Sequence, residues 1–165
     1  MSVRPIVLLG DPRLRIKGEP VDSFGRFLHG LLDDLAHTMR DAPGVGLAAP
    51  QIGVSRRAFV VDVTGHRKAR SCHGPFVLFN PVVVLGHGPV VAREGCMSVP
   101  DLTGDVSRAS LLVVRGTTPD GGDRVLQVDA FEARAVLHEL DHLDGLLFLD
   151  RVVSADGVFP RRVYR

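Results

Sequence analysis

The segment that most constrains the fold is His138-Glu139-Leu140-Asp141-His142, which has the form H-E-x-x-H. Histidines four residues apart lie on one face of an α-helix, so a helix lets both imidazoles reach a single metal ion. Glu139 lies about 100° around such a helix from His138, close enough to reach a water on that metal. Residues 129–136 are rich in helix formers, and Gly145 can end the helix. The sequence therefore predicts a helix that carries both histidines.

This pattern alone does not define a metal site. A bare H-E-x-x-H also arises by chance on amphipathic helices, where both histidines merely pack or are solvated. A catalytic zinc-type centre needs three protein ligands and one open position. The longer metalloprotease pattern H-E-x-x-H-x-x-G-x-x-H continues here to Gly145, but Phe148 stands where the third histidine belongs. No glutamate follows His142, so a third ligand has to come from upstream.

Cys96 is the strongest upstream candidate. A thiolate is a strong ligand for Fe²⁺ or Zn²⁺, and one thiolate with two imidazoles is a known catalytic ligand set. The alternative is that Cys96 is a small buried hydrophobe, as free cysteines usually are. Cys72, the other cysteine, lies in a polar loop and receives no role. The two could form a disulfide, but in a reducing compartment a free thiol or a metal thiolate is favoured.

Length and charge exclude several classes of protein. A chain of 165 residues with 45% hydrophobic and 24% charged residues favours one domain over residues 1–165. A formal net charge of +1 gives no case for a nucleic-acid surface. No apolar run approaches the ~20 residues that span a bilayer, and the N-terminus lacks a signal-peptide core. We therefore expect a cytoplasmic protein. The basic C-terminal residues Arg161, Arg162 and Arg165 are interpreted as a solvated tail.

Hydrophobic periodicity predicts one helix early in the chain. Apolar residues recur there at three- and four-residue spacing, which indicates one buried face. Asp22 and Ser23 offer a cap for this helix, and Pro43-Gly44 ends it. The predicted buried face consists of Phe24, Phe27, Leu28, Leu31, Leu32, Leu35 and Met39.

Strand patterns occupy the middle of the chain. The predicted strands cover residues 58–63, 76–85, 90–93, 111–115 and 124–128. Pro81 requires an edge or a bulge in its strand, and residues 117–122 have the composition of a hairpin turn. Strands between an early and a late helix predict an α+β fold. We expect mixed or antiparallel β-sheets packed around the helix that carries H-E-x-x-H, with one earlier N-terminal helix.

Residues 44–51, Gly-Val-Gly-Leu-Ala-Ala-Pro-Gln, form a glycine-rich segment. The sub-pattern Gly44-x-Gly46-x-x-Ala49 could be mistaken for a dinucleotide-binding loop. That loop needs a strand before it and a helix after it, whereas here a helix precedes it and Pro50 follows. A tight segment that brings its backbone close to another group fits better.

Three segments in a fixed order resemble the peptide deformylase family. The family motif G-φ-G-φ-A-A-x-Q, where φ is apolar, corresponds to residues 44–51, and E-G-C-φ-S corresponds to residues 94–98. The third motif, Q-H-E-x-D-H-φ-x-G, corresponds to residues 137–145, with Leu137 in place of the glutamine. The resemblance runs from about residue 6 to residue 151.

This resemblance implies a metal-dependent hydrolase. The family removes the N-formyl group from the N-terminal formylmethionine of newly made polypeptides and releases formate. The implied metal ligands are Cys96, His138 and His142, which would hold Fe²⁺ as the native ion, with Zn²⁺, Ni²⁺ or Co²⁺ able to substitute. Glu139 is the implied base and then acid.

The resemblance also implies how the substrate is held. The Gln51 side chain and the backbone N–H of Met97 would stabilise the oxyanion. Glu94 is expected to pair with Arg108, because a buried carboxylate without a partner is costly. The implied substrate-binding residues are Val45, Gly46, Glu94, Phe131 and Ala135, together with the His138 ring.

Two departures and two rival functions accompany this interpretation. Leu137 could cost a hydrogen bond or helix contact next to the ligands. The family often has a basic residue shortly after the second motif that contacts the substrate backbone, whereas this chain has Asp101-Leu102-Thr103. One rival is a related metallo-amidase acting on another formyl or acyl group. The other is a non-catalytic homologue that binds formyl peptides.

The expected partners follow from the same resemblance. They are N-formylmethionyl peptides or nascent chains, met at the ribosome. We expect a monomer with no direct nucleic-acid motif and no membrane contact.

Overall fold

The computed structural model describes residues 2–162 and has the predicted α+β fold. Its two α-helices are α1 (Arg26–Asp41) and α2 (Ala130–Leu143). The strands are β1 (Gly46–Ala48), β2 (Ala58–Val61), β3 (Phe76–Cys96), β4 (Val99–Thr117), β5 (Asp123–Asp129) and β6 (Val158–Pro160). Four short 3₁₀-helices cover Pro12–Arg15, Ala49–Ile52, Phe148–Asp150 and Ala155–Gly157.

The strands form one antiparallel sheet in the order β1-β2-β3-β4-β5, and β6 pairs with β4. The predicted strands at 76–85 and 90–93 belong to the single strand β3. Its pairing with β4 shifts register between Phe79 and Val82, so Pro81 lies in a bulge as expected, where its missing N–H breaks no ladder bond. The predicted hairpin turn is also confirmed, since it connects β4 to β5.

Helix α2 is the buried element around which the sheet packs. One core cluster joins Ala133, Val136, Leu140 and Leu143 of the helix to residues of β2, β3, β4 and β5, including Phe59, Leu78, Leu112 and Val128. Polar α2 side chains, among them Glu139 and His142, are buried as well. Burial on all faces means that every polar group of this helix needs a partner or a chemical role.

The prediction for α1 is wrong at its N-terminus. The helix begins at Arg26, after Gly25 as N-cap, and no side chain caps it. The Asn80 side chain accepts a hydrogen bond from the backbone N–H of Val21 at 2.8 Å and donates one to the Val21 carbonyl oxygen at 2.7 Å. These bonds hold Val21 beside β3, so the residues that follow it do not begin the helix. Phe24 therefore precedes the helix, and Phe27 is 68% exposed. The buried face consists of Leu28, Leu31, Leu35, Thr38 and Met39.

No helix within residues 2–162 is both long enough and apolar enough to cross a membrane.

The end of α2 yields a stability prediction. Gly145 has φ +74°, and a Cβ there would lie 2.6 Å from the Arg15 carbonyl oxygen. We expect Gly145→Ala to lower the free energy of unfolding by about 2–4 kcal/mol, through left-handed strain plus a backbone overlap. Equilibrium urea denaturation measures this change.

Two other glycines separate these causes. Gly121 also has a positive φ (+86°) but open space around its Cβ position, so alanine should cost only about 1 kcal/mol there. Gly30 lies in α1 with no neighbour within 4 Å, so Gly30→Ala should stabilise by about 0.5–1 kcal/mol. Equal losses at Gly145 and Gly121 would contradict the overlap argument.

Candidate metal centre

Strand β3 and helix α2 bring three metal-binding side chains together. Cys96 is the last residue of β3, and His138 and His142 lie one turn apart on α2. One donor atom from each lies within 4.8 Å of the others, and Cys96 Sγ is 3.3 Å from Nε2 of His142. Metal–sulfur and metal–nitrogen bonds are about 2.3 and 2.0–2.1 Å long, so one ion can reach all three donors.

The surroundings of both imidazoles fit a cation at this point. Glu94 Oε2 lies 3.0 Å from Nδ1 of His138, which leaves Nε2 of that ring for the site. Burial opposes the charged ring, but contacts with Cys96 and Glu94 outweigh it and raise the pKa of His138 well above its usual value. Burial, followed by the charges of His138 and Arg108, lowers the pKa of His142 well below its usual value. The donor set of thiol and two imidazoles suits iron, zinc, nickel or cobalt.

Glu139 lies beside these donors in a pocket that only glycine permits. A Cβ on Gly46 of β1 would overlap the Glu139 carboxylate. Glu139 is 3% exposed, and its Oε2 has no hydrogen-bond partner among residues 2–162. Burial raises the pKa of Glu139 to about 7, where a carboxyl group can both accept and release a proton. This close approach is the backbone contact expected of the glycine-rich segment.

Gln51 lies in the 3₁₀-helix Ala49–Ile52 with its amide held in one orientation. The backbone N–H of Ala48 donates to Oε1 at 2.9 Å. Nε2 then lies 3.5 Å from Cys96 Sγ and 3.2 Å from Ser98 Oγ. The amide thus directs its donor end toward the sulfur at the centre, and Met97 lines the same cavity as Gln51.

Glu94 forms a buried ionic network with two arginines. Arg108 donates to both carboxylate oxygens, at 2.8 and 3.0 Å, and Arg134 donates to one of them at 2.9 Å. Burial opposes ionisation of Glu94, but hydrogen bonds from His138 and Arg108 outweigh it and hold its pKa at about 2. Arg108 also donates a hydrogen bond from Nη1 to Oδ2 of Asp141 at 2.5 Å.

Sequence reasoning missed the roles of Arg134 and Asp141 in this network. Both lie on α2, four residues before and three residues after His138, and so on the same helix face. That spacing was readable in the sequence. What it did not reveal is that β3 and β4 place Glu94 and Arg108 opposite this face.

A cavity of about 470 Å³ opens onto the centre. It is lined by all five predicted substrate-binding residues: Val45, Gly46, Glu94, Phe131 and Ala135. The His66 ring stacks on the Phe131 ring with centroids 3.9 Å apart. Both oxygens of Glu94 already accept bonds from protein donors, so its geometry suits support of His138 better than contact with a substrate.

The structure also places Leu137 and two of the basic C-terminal residues. Leu137, which replaces the family glutamine, is partly buried and packs against the main core cluster. Arg161 lines the cavity, so its interpretation as part of a solvated tail is wrong. Arg162 is exposed, and Arg165 lies outside the described residues.

The fold and the donor set define a class of protein in which a buried helix and a strand of the sheet together supply the ligands of a candidate metal centre. A family model described as polypeptide deformylase matches residues 3–157. The chain belongs to this family of metalloenzymes.

Individual relatives agree along nearly the whole chain. A peptide deformylase of Acidothermus cellulolyticus is 47% identical over 168 residues, covering 100% of this chain and 87% of the relative. A peptide deformylase structure from Legionella pneumophila superposes with TM-score 0.85 at 39% identity, covering 92% of this chain and 86% of that one. A class I type b peptide deformylase of Acinetobacter baumannii, bound to Met-Ala-Ser, gives TM-score 0.84 at 32% identity, covering 92% and 99%.

The buried ionic network yields a second stability prediction. Arg108→Met leaves Glu94 and Asp141 without their main cation, so we expect a loss of about 3–5 kcal/mol in the free energy of unfolding. Arg115 lies on the same strand in an exposed pair with Asp123, at 58% and 66% side-chain exposure. Arg115→Met should therefore cost under about 1 kcal/mol. Urea denaturation of both variants compares them, and equal losses would contradict the role given to burial.

Proposed function

We propose that this chain removes the N-formyl group from the N-terminal formylmethionine of newly made polypeptides and releases formate. The observation that carries the proposal is Glu139, a buried carboxyl with a pKa of about 7 beside three convergent metal donors. Such a group could take the proton of a water activated by a cation at these donors, which is the chemistry of metal-assisted amide hydrolysis. Family membership supplies the substrate class.

The proposed metal ligands are Cys96, His138 and His142, and the proposed ion is Fe²⁺, with Zn²⁺, Ni²⁺ or Co²⁺ as substitutes. A divalent cation held there would lower the pKa of its water and polarise the formyl carbonyl. Glu94 Oε2 lies 3.0 Å from Nδ1 of His138, so Nε2 is the nitrogen of this ring that would hold the cation.

The proposed chemistry of the protein groups is acid–base transfer and oxyanion stabilisation. Glu139 takes the proton of the attacking water and passes it to the leaving amine. Gln51 Nε2 and the backbone N–H of Met97 donate to the oxyanion. The orientation of the Gln51 amide, set by Ala48, supports this role because reorganisation is avoided.

The apolar lining of the cavity supports a methionine side chain as the group that binds there. Val45, Phe131 and Ala135 offer an apolar wall beside the centre, and β1 pairs only with β2 among the described strands, so its other edge can bind an extended peptide. The Acinetobacter baumannii relative binds Met-Ala-Ser, a peptide with the free N-terminal methionine that this reaction would leave.

The proposal extends to the setting of the reaction. Residues 1–165 would form a single catalytic domain that acts as a monomer in the cytoplasm on nascent chains at the ribosome. The match of one family model to residues 3–157 and the one connected sheet among residues 2–162 support the single domain.

The proposal predicts how the carboxyl group affects rate. Protein purified anaerobically with Fe²⁺ should release formate from formyl-Met-Ala, and Glu139→Gln should lower kcat by about 10²–10⁴-fold while bound iron stays the same. Glu132→Gln is the matched control on α2, because within residues 2–162 the Glu132 carboxylate hydrogen-bonds to Ser71 and His73 of a loop and to none of the metal donors. It should keep the wild-type kcat.

Other outcomes of that assay would point to the rival functions. Hydrolysis of other formyl or acyl amides, without activity on formyl-Met-Ala, would indicate the metallo-amidase. Peptide binding without formate release, unchanged in Glu139→Gln, would indicate the non-catalytic homologue. No activity in wild-type protein with iron bound would overturn the proposal.

The oxyanion role predicts a distinct effect at Gln51. Gln51→Glu keeps the acceptor for the Ala48 N–H but loses the amide donor, and Gln51→Met loses both. We expect kcat to fall about 10²–10³-fold in each, with little change in KM or metal content. A rise in KM with kcat intact would instead assign Gln51 to substrate binding.

A further inference from the structure

Strand β6 ends next to the site cavity, and Arg161, the residue that follows it, lines that cavity. The strand pairs with β4 at Leu102, Thr103 and Gly104, and Thr103 in turn pairs with Gly95 of β3. Two further contacts hold it. The guanidinium of Arg93 lies 3.7 Å from the Phe159 ring centroid, and the backbone N–H of Arg161 donates to the Asp101 carbonyl at 2.8 Å. The residue after β6 is therefore fixed next to the end of β3.

The Arg161 side chain extends from this point across Gly95. A Cβ at Gly95 would overlap Nη2 of Arg161 and lie 3.3 Å from its Cζ. The backbone of Gly95 does not have a positive φ, so the absent side chain is needed for space and not for conformation. The guanidinium thus occupies the space next to the residue that precedes Cys96, and it lines the site cavity.

Charge pairing separates Arg161 from two of the other three arginines that line the cavity, Arg134 and Arg93, while the third, Arg40, is exposed in the last turn of α1. Arg134 is bound to Glu94 at 2.9 Å, and Arg93 to Asp105 at 2.7 Å. Within residues 2–162, no carboxylate oxygen lies within 4.0 Å of the Arg161 guanidinium. Its planar set of donors therefore remains available to acceptor oxygens in the cavity.

We propose that Arg161 binds the backbone carbonyl oxygens of the peptide segment that follows the N-terminal methionine, so that the C-terminal strand β6 is part of the substrate site. The inference rests on the proposed function, since the ligand is a peptide whose first residue lies at the metal centre. Backbone oxygens are the acceptors common to all nascent chains, whose own carboxyl ends are far away.

Binding of the product peptide Met-Ala-Ser tests this directly. Calorimetry on metal-loaded protein should give a Kd about 10-fold or more weaker for Arg161→Ala, as expected for loss of a charge-assisted hydrogen bond. Arg161→Lys should recover part of the affinity. In formate release from formyl-Met-Ala-Ser, KM should rise similarly while kcat stays near wild type, because the contact is made equally in ground and transition states.

The terminal amide of the same peptide separates two acceptors. If backbone carbonyls are bound, Met-Ala-Ser amide loses as much affinity with Arg161→Ala as the free acid does. An effect that disappears with the amide would assign Arg161 to the peptide carboxylate and overturn the proposal.

Gly95 provides an independent variant that leaves Arg161 in place. The Cβ of Gly95→Ala displaces the flexible end of Arg161 rather than backbone, so peptide affinity should fall about as far as in Arg161→Ala. In the Arg161→Ala background, Gly95→Ala should have no further effect. Equal losses in both backgrounds would contradict the coupling.

Arg162→Ala is the charge-matched control, since Arg162 is the exposed neighbour. Arg162→Ala should leave Kd and KM unchanged. A loss of peptide affinity equal to that of Arg161→Ala would show that general charge attraction causes the effect, and not a specific contact. Wild-type protein that binds metal but releases no formate would overturn the proposed function. An active wild type with unchanged Arg161→Ala binding would sink this inference alone.

Discussion

The buried Glu94 carboxylate is the interaction on which the site depends. It joins β3 to β4 through Arg108, β3 to α2 through Arg134, and it occupies Nδ1 of His138. Two arginines offset the energetic cost of burying one carboxylate, and each donates further hydrogen bonds, Arg134 to the backbone oxygens of Val106 and Val90 and Arg108 to Asp141. Without this charge the helix and the strand that carries Cys96 would lose their common anchor, and the ring of His138 would be free to turn.

Close backbone approach is the second constraint. Gly46 admits the Glu139 carboxylate, and Gly95 admits the Arg161 guanidinium. In both places a charged side chain occupies the volume that a methyl group would need. The missing side chains at these glycines leave room for both groups at the cavity. Close backbone approach is therefore the role of the glycine-rich segment 44–51, which lacks the geometry of a phosphate-binding loop.

The elements with strong local patterns were predictable. α2 follows from its helix formers and a terminal glycine, and the β4–β5 hairpin follows from its turn residues. The bulge at Pro81 follows from the missing N–H. The start of α1 was not predictable, because Asn80, nearly sixty residues downstream of Val21, holds the preceding segment against the sheet. Local spacing made Phe24 and Phe27 look like part of the buried helix face. Phe24 instead precedes the helix and packs edge-on against Phe79 of β3, and Phe27 is largely exposed.

The sequence by itself indicated the candidate ligands and the candidate acid–base group, because ligand chemistry depends on residue type and the placement of the histidines and Glu139 depends on short spacing along a helix. It also determined the fold class and, through three ordered motifs, the family. Only the tertiary structure decided that Arg134 and Asp141 belong to the Glu94 network and that Arg161 lines the cavity. These contacts join residues distant in the chain, and their geometry comes from strand pairing and helix packing, which no local pattern specifies.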